Sequence, residues 1–444
     1  MATILFTVLV SVLLMSSAAQ AEHDPASDPE QPTALLSLDE AIGIALSDST
    51  MISEAASKYS AAVEEKRSAL ADFLPKLSTS YSYTRFDDQP YMVFDNMKIP
   101  FMTTDYYHWN LTAVQPIFAG YALYTRYQMA KLNIDLKEVE KQLAILDVTK
   151  SIKTVYFNIL MAKKVLMVAD DAVENLEAHV RDAEQFYKHD VIPYNDLLQA
   201  QVALANAVQN REKARSAVEM AVSTLNTLLR VNINQPTQIA DVTDVSPLPS
   251  SLEQLTTAAL RNRPELKALH IAVQSADYTI RLAKSSYYPE VALIGNYERT
   301  GDNAAAGNNP YGNDHNASVT LQAKWRIFEW GKTAAEVKKS AHEKTALQEK
   351  LKRVEDDITL EVKNAFVSRE VAKKNIKTSL ASLDQAKENF RLTKLQYQHQ
   401  LATTTNVLDA RTFQSQAMTN YYGALYGYLI SEAELERVVG GSLP

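Results

Sequence analysis

The chain contains one structural unit written twice, and this constrains its fold more than any single motif does. Residues 37–83 align with residues 251–297 at one constant offset and without a gap. Ser37-Leu38 matches Ser251-Leu252, and Ala45-Leu46 matches Ala259-Leu260. Pro75 meets Pro289, each with an aromatic residue two positions earlier, Phe73 and Tyr287. A second block aligns at a slightly shorter offset, pairing Ile117-Phe118 with Ile327-Phe328, Tyr187 with Tyr397, Leu198 with Leu408 and Ala200 with Ala410. The offset changes between residues 83 and 117, inside a segment that has the composition of a loop.

Both copies predict the same order of elements. A helix comes first, over about 38–72 and 252–286, and stops ahead of Pro75 or Pro289 because helices end before proline. Alternating strands follow, over about 77–86 and 108–117 in the first copy and about 290–298 and 317–328 in the second. In the last of these, Ala317, Val319, Leu321, Ala323 and Trp325 share a face. The connection over residues 300–316 is rich in Gly, Asn and Pro and belongs in solvent.

A long helix then starts near Tyr121 and near Lys332, with neither Gly nor Pro over 121–191 or 332–402. At 1.5 Å per residue, each would extend on the order of 100 Å. Leu347, Leu351, Val354, Ile358, Ala365, Ala372, Ile376, Leu380 and Leu383 recur as a coiled-coil seam in the second. Ile152, Val155, Ile159, Ala162, Val168, Ala172, Leu176, Val180 and Ala183 do so in the first. Turns at 190–195 and 400–405 lead into return helices, with Asn195 and Thr405 as N-cap candidates. The resulting division is a first repeat over 37–231, a Pro-containing linker over 232–250, a second repeat over 251–438 and a tail over 439–444.

The first 21 residues stand apart. Residues 4–15 are almost wholly apolar, and Ala19-Gln20-Ala21 is a small-x-small cleavage signal, so 1–21 is expected to be a signal peptide and 22–36 the start of the mature chain. No Lys or Arg precedes the apolar run. Nothing downstream approaches the ~18–20 apolar residues of a membrane helix. A membrane-bound form must therefore be a closed β-barrel, and four strands are too few to close one. Several chains would have to contribute.

These features together resemble the TolC-like outer-membrane efflux family over essentially the whole mature chain. Pro116-Ile117-Phe118-Ala119-Gly120 and Ile327-Phe328-Glu329-Trp330-Gly331 are similar to that family's strand-to-helix exits. Asn195-Asp196-Leu197-Leu198-Gln199-Ala200-Gln201 and Asn406-Val407-Leu408-Asp409-Ala410 resemble its helix restarts. The resemblance implies a mainly α protein with a membrane β-barrel, a homotrimer that forms a 12-stranded barrel in outer-membrane lipid and an α-helical tunnel in the periplasm. It also implies partners: a periplasmic adaptor of the membrane-fusion type and an inner-membrane transporter of resistance-nodulation-division, ABC or major facilitator type. The function implied is passive export of drugs, toxic compounds or secreted polypeptide. A periplasmic coiled-coil scaffold or adaptor with no pore of its own is the alternative.

The resemblance also nominates sites. Asp409 matches the inner acidic position of a constricting ring, Asn406 replaces the outer acid, and Asp196 is the first-repeat counterpart. Acids here would also favour the helix dipole. Tyr187, Asp190, Val191, Tyr397, Gln400 and Leu401 are tip residues that could contact an adaptor; Asp190 and Gln400 stand where the family often has Gly. Tyr81, Tyr83, Trp109, Tyr297 and Trp325 are candidates for membrane-interface aromatics.

Composition excludes other classes. The net charge of −8 leaves no basic footprint for nucleic acid. The absence of Cys removes disulfides, thiolate metal sites and a Cys nucleophile. His342-Glu343 lacks the second His of a zincin, and no phosphate loop or nucleophile elbow is present, so no catalytic residue, cofactor or metal is expected.

Overall fold

The computed structural model describes residues 35–242 and 251–441. The expected signal peptide, most of the N-terminal mature segment, part of the linker and the last residues of the tail lie outside them. The first repeat comprises α1 (Leu38–Asp48), α2 (Thr50–Ala71), β1 (Lys76–Arg85), β2 (Tyr91–Phe94), β3 (Met97–Pro100), β4 (Asp105–Ala119), α3 (Ala122–Lys188) and α4 (Tyr194–Leu229). The second comprises α5 (Leu252–Asn262), α6 (Pro264–Ser285), β5 (Glu290–Gly301), β6 (His315–Lys324), α7 (Lys332–Gln398) and α8 (Thr404–Val439).

Each opening helix is broken in two, where one continuous helix was expected. Ser49 and Arg263 take the same extended geometry, φ −60° with ψ 124° and 125°. Pro264 explains the second break, since a residue before proline is pushed out of the α region; Ser49 repeats the conformation without proline. The equivalence extends to the caps. Ser37 with Glu40 and Ser251 with Gln254 both form capping boxes.

α3 and α7 each contain 67 residues and act as spines, about 100 Å long. Along α3 lie α2 towards one end and α4 towards the other, and α7 is flanked in the same way by α6 and α8. The shorter helices meet at an equator. There Ala41, Ala45, Ile152, Tyr156, Ile159, Leu225, Leu229, Tyr426 and Tyr428 form one core, and Leu255, Ala259, Ile358, Val362, Leu435, Val438 and Val439 another. The linker is fastened to this belt by a parallel bridge between Leu36 and Ile239. The Tyr156 hydroxyl lies 2.9 and 2.7 Å from the Leu36 and Ala240 carbonyls, and the fully buried Asn226 donates to the Ile233 and Gln235 carbonyls.

Both seams are realised. Ile152, Ile159, Val168, Val180, Ala183, Ile358, Ala365 and Leu383 are buried, whereas Leu380 remains exposed on the protomer.

The strands form an antiparallel sheet in the order β1-β4-β5-β6, leaving β1 and β6 as free edges. Opposite partners share a face in such a ladder. The register (Tyr81 with Trp109, Leu111 with Tyr297, Gly295 with Val319, Leu293 with Leu321) assembles one face from Leu77, Tyr81, Tyr83, Trp109, Leu111, Tyr297, Val319 and Leu321. Ser78, Ser80, Ser82, Asn110, Thr112, Asn296, Ser318 and Thr320 make the other. An apolar outside and a polar inside are what a membrane barrel wall requires.

Two strand assignments need correction. β6 stops at Lys324, opposite Glu290, so residues 325–328 are not strand: β5 begins directly after Pro289 and offers them no partner. The segment between β1 and β4 is also more than loop, because β2 and β3 form a second hairpin within it.

Between sheet and long helix the chain turns through two successive left-handed residues, Gly120–Tyr121 in one repeat and Trp330–Gly331 in the other. A Cβ on Gly120 would fall 2.4 Å from the Ser285 carbonyl oxygen, which reserves that position for glycine.

Ion pairs tie the four helix layers together near the equator. Arg437 bridges Asp147 and Glu265 at 2.8 Å each, Arg263 engages Glu265 and Glu361, and Arg369 engages Glu432. Burial works against ionisation of Glu265. Hydrogen bonds from Arg263, the Glu265 backbone and Arg437 outweigh it and bring its pKa down to about 2. A carboxylate with a depressed folded pKa stabilises fully above its unfolded value and loses that contribution as pH falls through the folded one. Glu265→Gln should therefore cost on the order of 2–3 kcal/mol at pH 7. Thermal melts should show the gap to wild type narrowing below about pH 4.5 and closing near pH 2.

Candidate functional site: the helical tips and the membrane sheet

The ends of α3–α4 and α7–α8 are built alike. α3 closes with Asp190 N–H donating to the Tyr187 carbonyl and Val191 N–H to the Phe186 carbonyl. α7 closes with Gln400 N–H to Tyr397 and Leu401 N–H to Gln396. This is a Schellman closure, which places one residue in the left-handed region. Asp190 (φ 54°) and Gln400 (φ 61°) occupy it.

The helices restart sooner than Asn195 and Thr405 would cap them. Pro193, at φ −70°, enters α4 without a side-chain cap, and Thr403 caps α8. Asn195 and Thr405 lie inside the first turns because the connecting turns are two residues shorter than expected. Asn406 completes the capping box, its Oδ1 accepting from Thr403 N–H at 3.0 Å and from Thr403 Oγ1 at 2.7 Å. Asp409 is exposed, lies three residues further along α8 and is beyond the first turn. Among the described residues, no hydrogen bond or ion pair occupies its carboxylate. Asp196 is half-buried in the first turn of α4, where it serves the helix dipole.

The tip residues divide. Asp190, Val191, Gln400 and Leu401 are exposed, Leu401 far more than Val191, and Tyr187 is partly exposed against Tyr194 at 5.2 Å. Tyr397 is different: it is 3% exposed, so its place is in packing and not at a contact surface. Its ring lies 4.7 Å from His179 and 5.4 Å from Phe186, and Thr404 Oγ1 is 3.4 Å from its hydroxyl. The physical reason is periodicity, since Tyr397 continues the buried row of Leu383 and Phe390 at seven-residue spacing.

Three residues that the sequence pattern did not single out lock the two helical pairs together. Arg411, 3% exposed, donates to Asp171 at 2.8 Å and to Gln414 at 2.7 Å, and its guanidinium lies 5.5 Å from the Phe390 ring. His179 is buried beside it, and its Nε2 and the Arg411 Nε have no hydrogen-bond partner among the described residues. The available signal was a charged residue beside the apolar row Val407, Ala410 and Ala417. Separating α7–α8 from α3–α4 would expose Tyr397 and break the Arg411–Asp171 pair.

In the sheet, Tyr81, Tyr83, Trp109 and Tyr297 gather at the loop end, with Trp109 and Tyr297 edge to face at 5.9 Å. Trp325 sits at the opposite end, its Nε1 donating to the Tyr287 carbonyl at 3.1 Å. Phe118, Tyr121 and Tyr288 cluster edge to face at the helix end as well. Two aromatic levels therefore bracket an aliphatic band of Leu77, Ala113, Leu293, Val319 and Leu321.

The outer membrane efflux protein model matches residues 41–229 and 255–441, one match per repeat. The chain belongs to the outer membrane efflux protein family. The alkaline protease secretion protein AprF of Pseudomonas aeruginosa is 22% identical over 344 residues, covering 76% of this chain and 70% of that protein. Among solved structures, the CmeC outer membrane channel of Campylobacter jejuni superposes with a TM-score of 0.78 at 17% identity, covering 91% of this chain and 85% of that one. The outer membrane protein VceC of Vibrio cholerae superposes with a TM-score of 0.77 at 15% identity, covering 91% and 96%. The protein is thus an outer-membrane efflux channel and not an enzyme, with its helical part in the periplasm. No helix among the described residues is long and apolar enough to cross a membrane, and none of their His, Asp and Glu residues cluster as metal ligands.

Two predictions follow from the tip. Gln400→Gly should stabilise by about 0.5–1 kcal/mol, because glycine adopts φ > 0 without the steric cost of a side chain; an unchanged or lower melting temperature would contradict the closure geometry. Burial holds the His179 imidazole below its ordinary pKa, with Asp182 opposing and Lys394 assisting. Wild-type stability should accordingly fall as pH drops from about 6.5 towards 5, since the unfolded chain takes up the proton first. In His179→Phe, thermal melts should show that dependence flattened.

Proposed function

We propose that three copies of this chain close a 12-stranded barrel and a helical tunnel, through which solutes leave the periplasm passively for an energised inner-membrane transporter. The supporting observation is the sheet: an apolar and a polar face, two aromatic levels and two unpaired edges, β1 and β6. An open edge cannot persist in hydrocarbon, and four strands are too few to close on themselves. The exposed faces of α4, α7 and α8, with Val202, Met220, Leu360, Val367, Val371 and Phe413, supply apolar surface for neighbouring copies.

The exposed tip residues Tyr187, Asp190, Val191, Gln400 and Leu401 are the proposed contact with a periplasmic adaptor. That adaptor would connect the tunnel to a transporter of resistance-nodulation-division, ABC or major facilitator type. Drugs, toxic compounds and secreted polypeptides are all compatible cargo. Three Asp409 carboxylates around the axis, with Asp196 nearby, form the proposed acidic aperture, where concentrated negative charge favours cations. Asn406 contributes its helix cap and no charge to that ring.

Single-channel conductance of the purified protein in a planar bilayer tests both levels. Wild type should show a small, cation-selective conductance that rises or loses selectivity in Asp409→Ala. A conductance indifferent to the substitution would remove Asp409 from the aperture. Folded protein with no conductance would favour the periplasmic scaffold.

A further inference from the structure

The β2–β3 hairpin has no role in the reading above. It grows from the free-edge strand β1 and from β4, and it turns at Asp95–Asn96, both at positive φ (49° and 59°), as a tight hairpin requires. Its register pairs Met92 with Ile99 and Phe94 with Met97, so these four residues form one face without a polar side chain. All four are exposed on the protomer, Phe94 at 69% and Met97 at 61%. The single charge of the two strands, Lys98, lies on the opposite face, 4.5 Å over the Tyr91 ring. Such a face in water is a contact surface awaiting a partner.

The hairpin leaves the sheet beyond its membrane-facing part. The aromatic level of Tyr81, Tyr83 and Trp109 marks the edge of the apolar zone. Beyond it comes a charged band, with Arg85 paired to Asp105 at 3.4 Å and Asp87 and Asp88 exposed. The hairpin begins outside that band. It is anchored there by Phe86 N–H to the Thr104 carbonyl, Phe101 N–H to the Pro90 carbonyl and Gln89 Nε2 to Tyr311 Oη at 2.6 Å. An apolar face held at that level can be covered by the same face of another copy of the chain.

We infer that the apolar faces of the three hairpins pack against one another over the outer mouth of the channel. The inference rests on the trimeric reading and takes its geometry from it. Twelve strands about 4.8 Å apart, tilted about 40°, give a ring with a radius of about 12 Å. From Phe86 to the turn, the chain advances at about 3.3 Å per residue, a reach on the order of 30 Å, so each hairpin can cross to the axis. Threefold symmetry presents three identical faces there, and none carries a charge to oppose the contact. Two of the four residues are Met, whose flexible side chains suit a self-packing surface.

The chain has no Cys, so single thiols report unambiguously. Phe94→Cys and Met97→Cys, oxidised in outer-membrane vesicles, should shift from monomer to covalent dimer on a non-reducing gel. Val93→Cys, on the opposite face, should stay monomeric. Native mass measurement of each detergent-solubilised variant establishes assembly independently. A trimer mass with no cross-link at Phe94 or Met97 overturns the hairpin contact and leaves the trimer standing. A monomer mass overturns the trimeric reading itself. Equal cross-linking at Val93 would indicate random collision and overturn the face-specific contact. A fluorophore on Phe94→Cys that is quenched by nitroxide-labelled lipid would assign the face to the membrane and also overturn it.

Discussion

A strand in hydrocarbon has no water for its unpaired backbone groups, and that requirement governs the rest of this architecture. The four strands of one chain satisfy each other internally and leave β1 and β6 open. On the trimeric reading proposed above, closure comes from other copies, which makes assembly a condition of residence in the membrane. The two-faced register, with serine, threonine and asparagine opposite aromatic and aliphatic residues, is the sequence consequence of a wall wet on one side only. The helices inherit the same problem in milder form, as their exposed apolar rows are complete only beside a neighbour.

Duplication lets the chain solve each geometric problem twice, with different residues. The exit from sheet to helix uses two left-handed residues, and glycine holds the first place in one copy and the second in the other. The break after the opening helix is enforced by Pro264 in one copy and only adopted by Ser49 in the other. The tip closures share hydrogen bonds while differing in side chain, Asp190 against Gln400. Backbone geometry is what the two halves share, and side chains are where they diverge.

The halves also diverge where they meet. At the equator, Arg437 joins α8 to α3 and α6, and Lys164 and Tyr426 converge on Asp241 of the linker. At the tip, Arg411 and Tyr397 from the second repeat insert against Asp171, His179 and Phe186 from the first. The chain thus places its buried charges and buried aromatics at the contacts between long helices. Apolar seams alone would allow those helices to slide, whereas a buried ion pair has one satisfied position.

Much of this was determined by sequence alone. The absence of Gly and Pro over 121–191 and 332–402, with an apolar seam inside each stretch, located the two spines to within a few residues. Alternation located the membrane strands, and the repeat supplied their order. Tertiary structure decided the rest. Whether residues 325–328 belong to a strand depended on a partner that ends at Pro289, and the β2–β3 hairpin depended on a turn too short to carry a pattern. Tyr397 looked like a tip residue in the sequence and proved to be core, because burial at the end of a helix is set by what packs across it. Arg411 and His179 became visible as a pair only when α3 and α8 were laid side by side: residues 232 positions apart (411 minus 179) carry no local signal of contact. Local rules act over a helical turn or a strand pair, and the contacts between long helices are chosen by the fold as a whole.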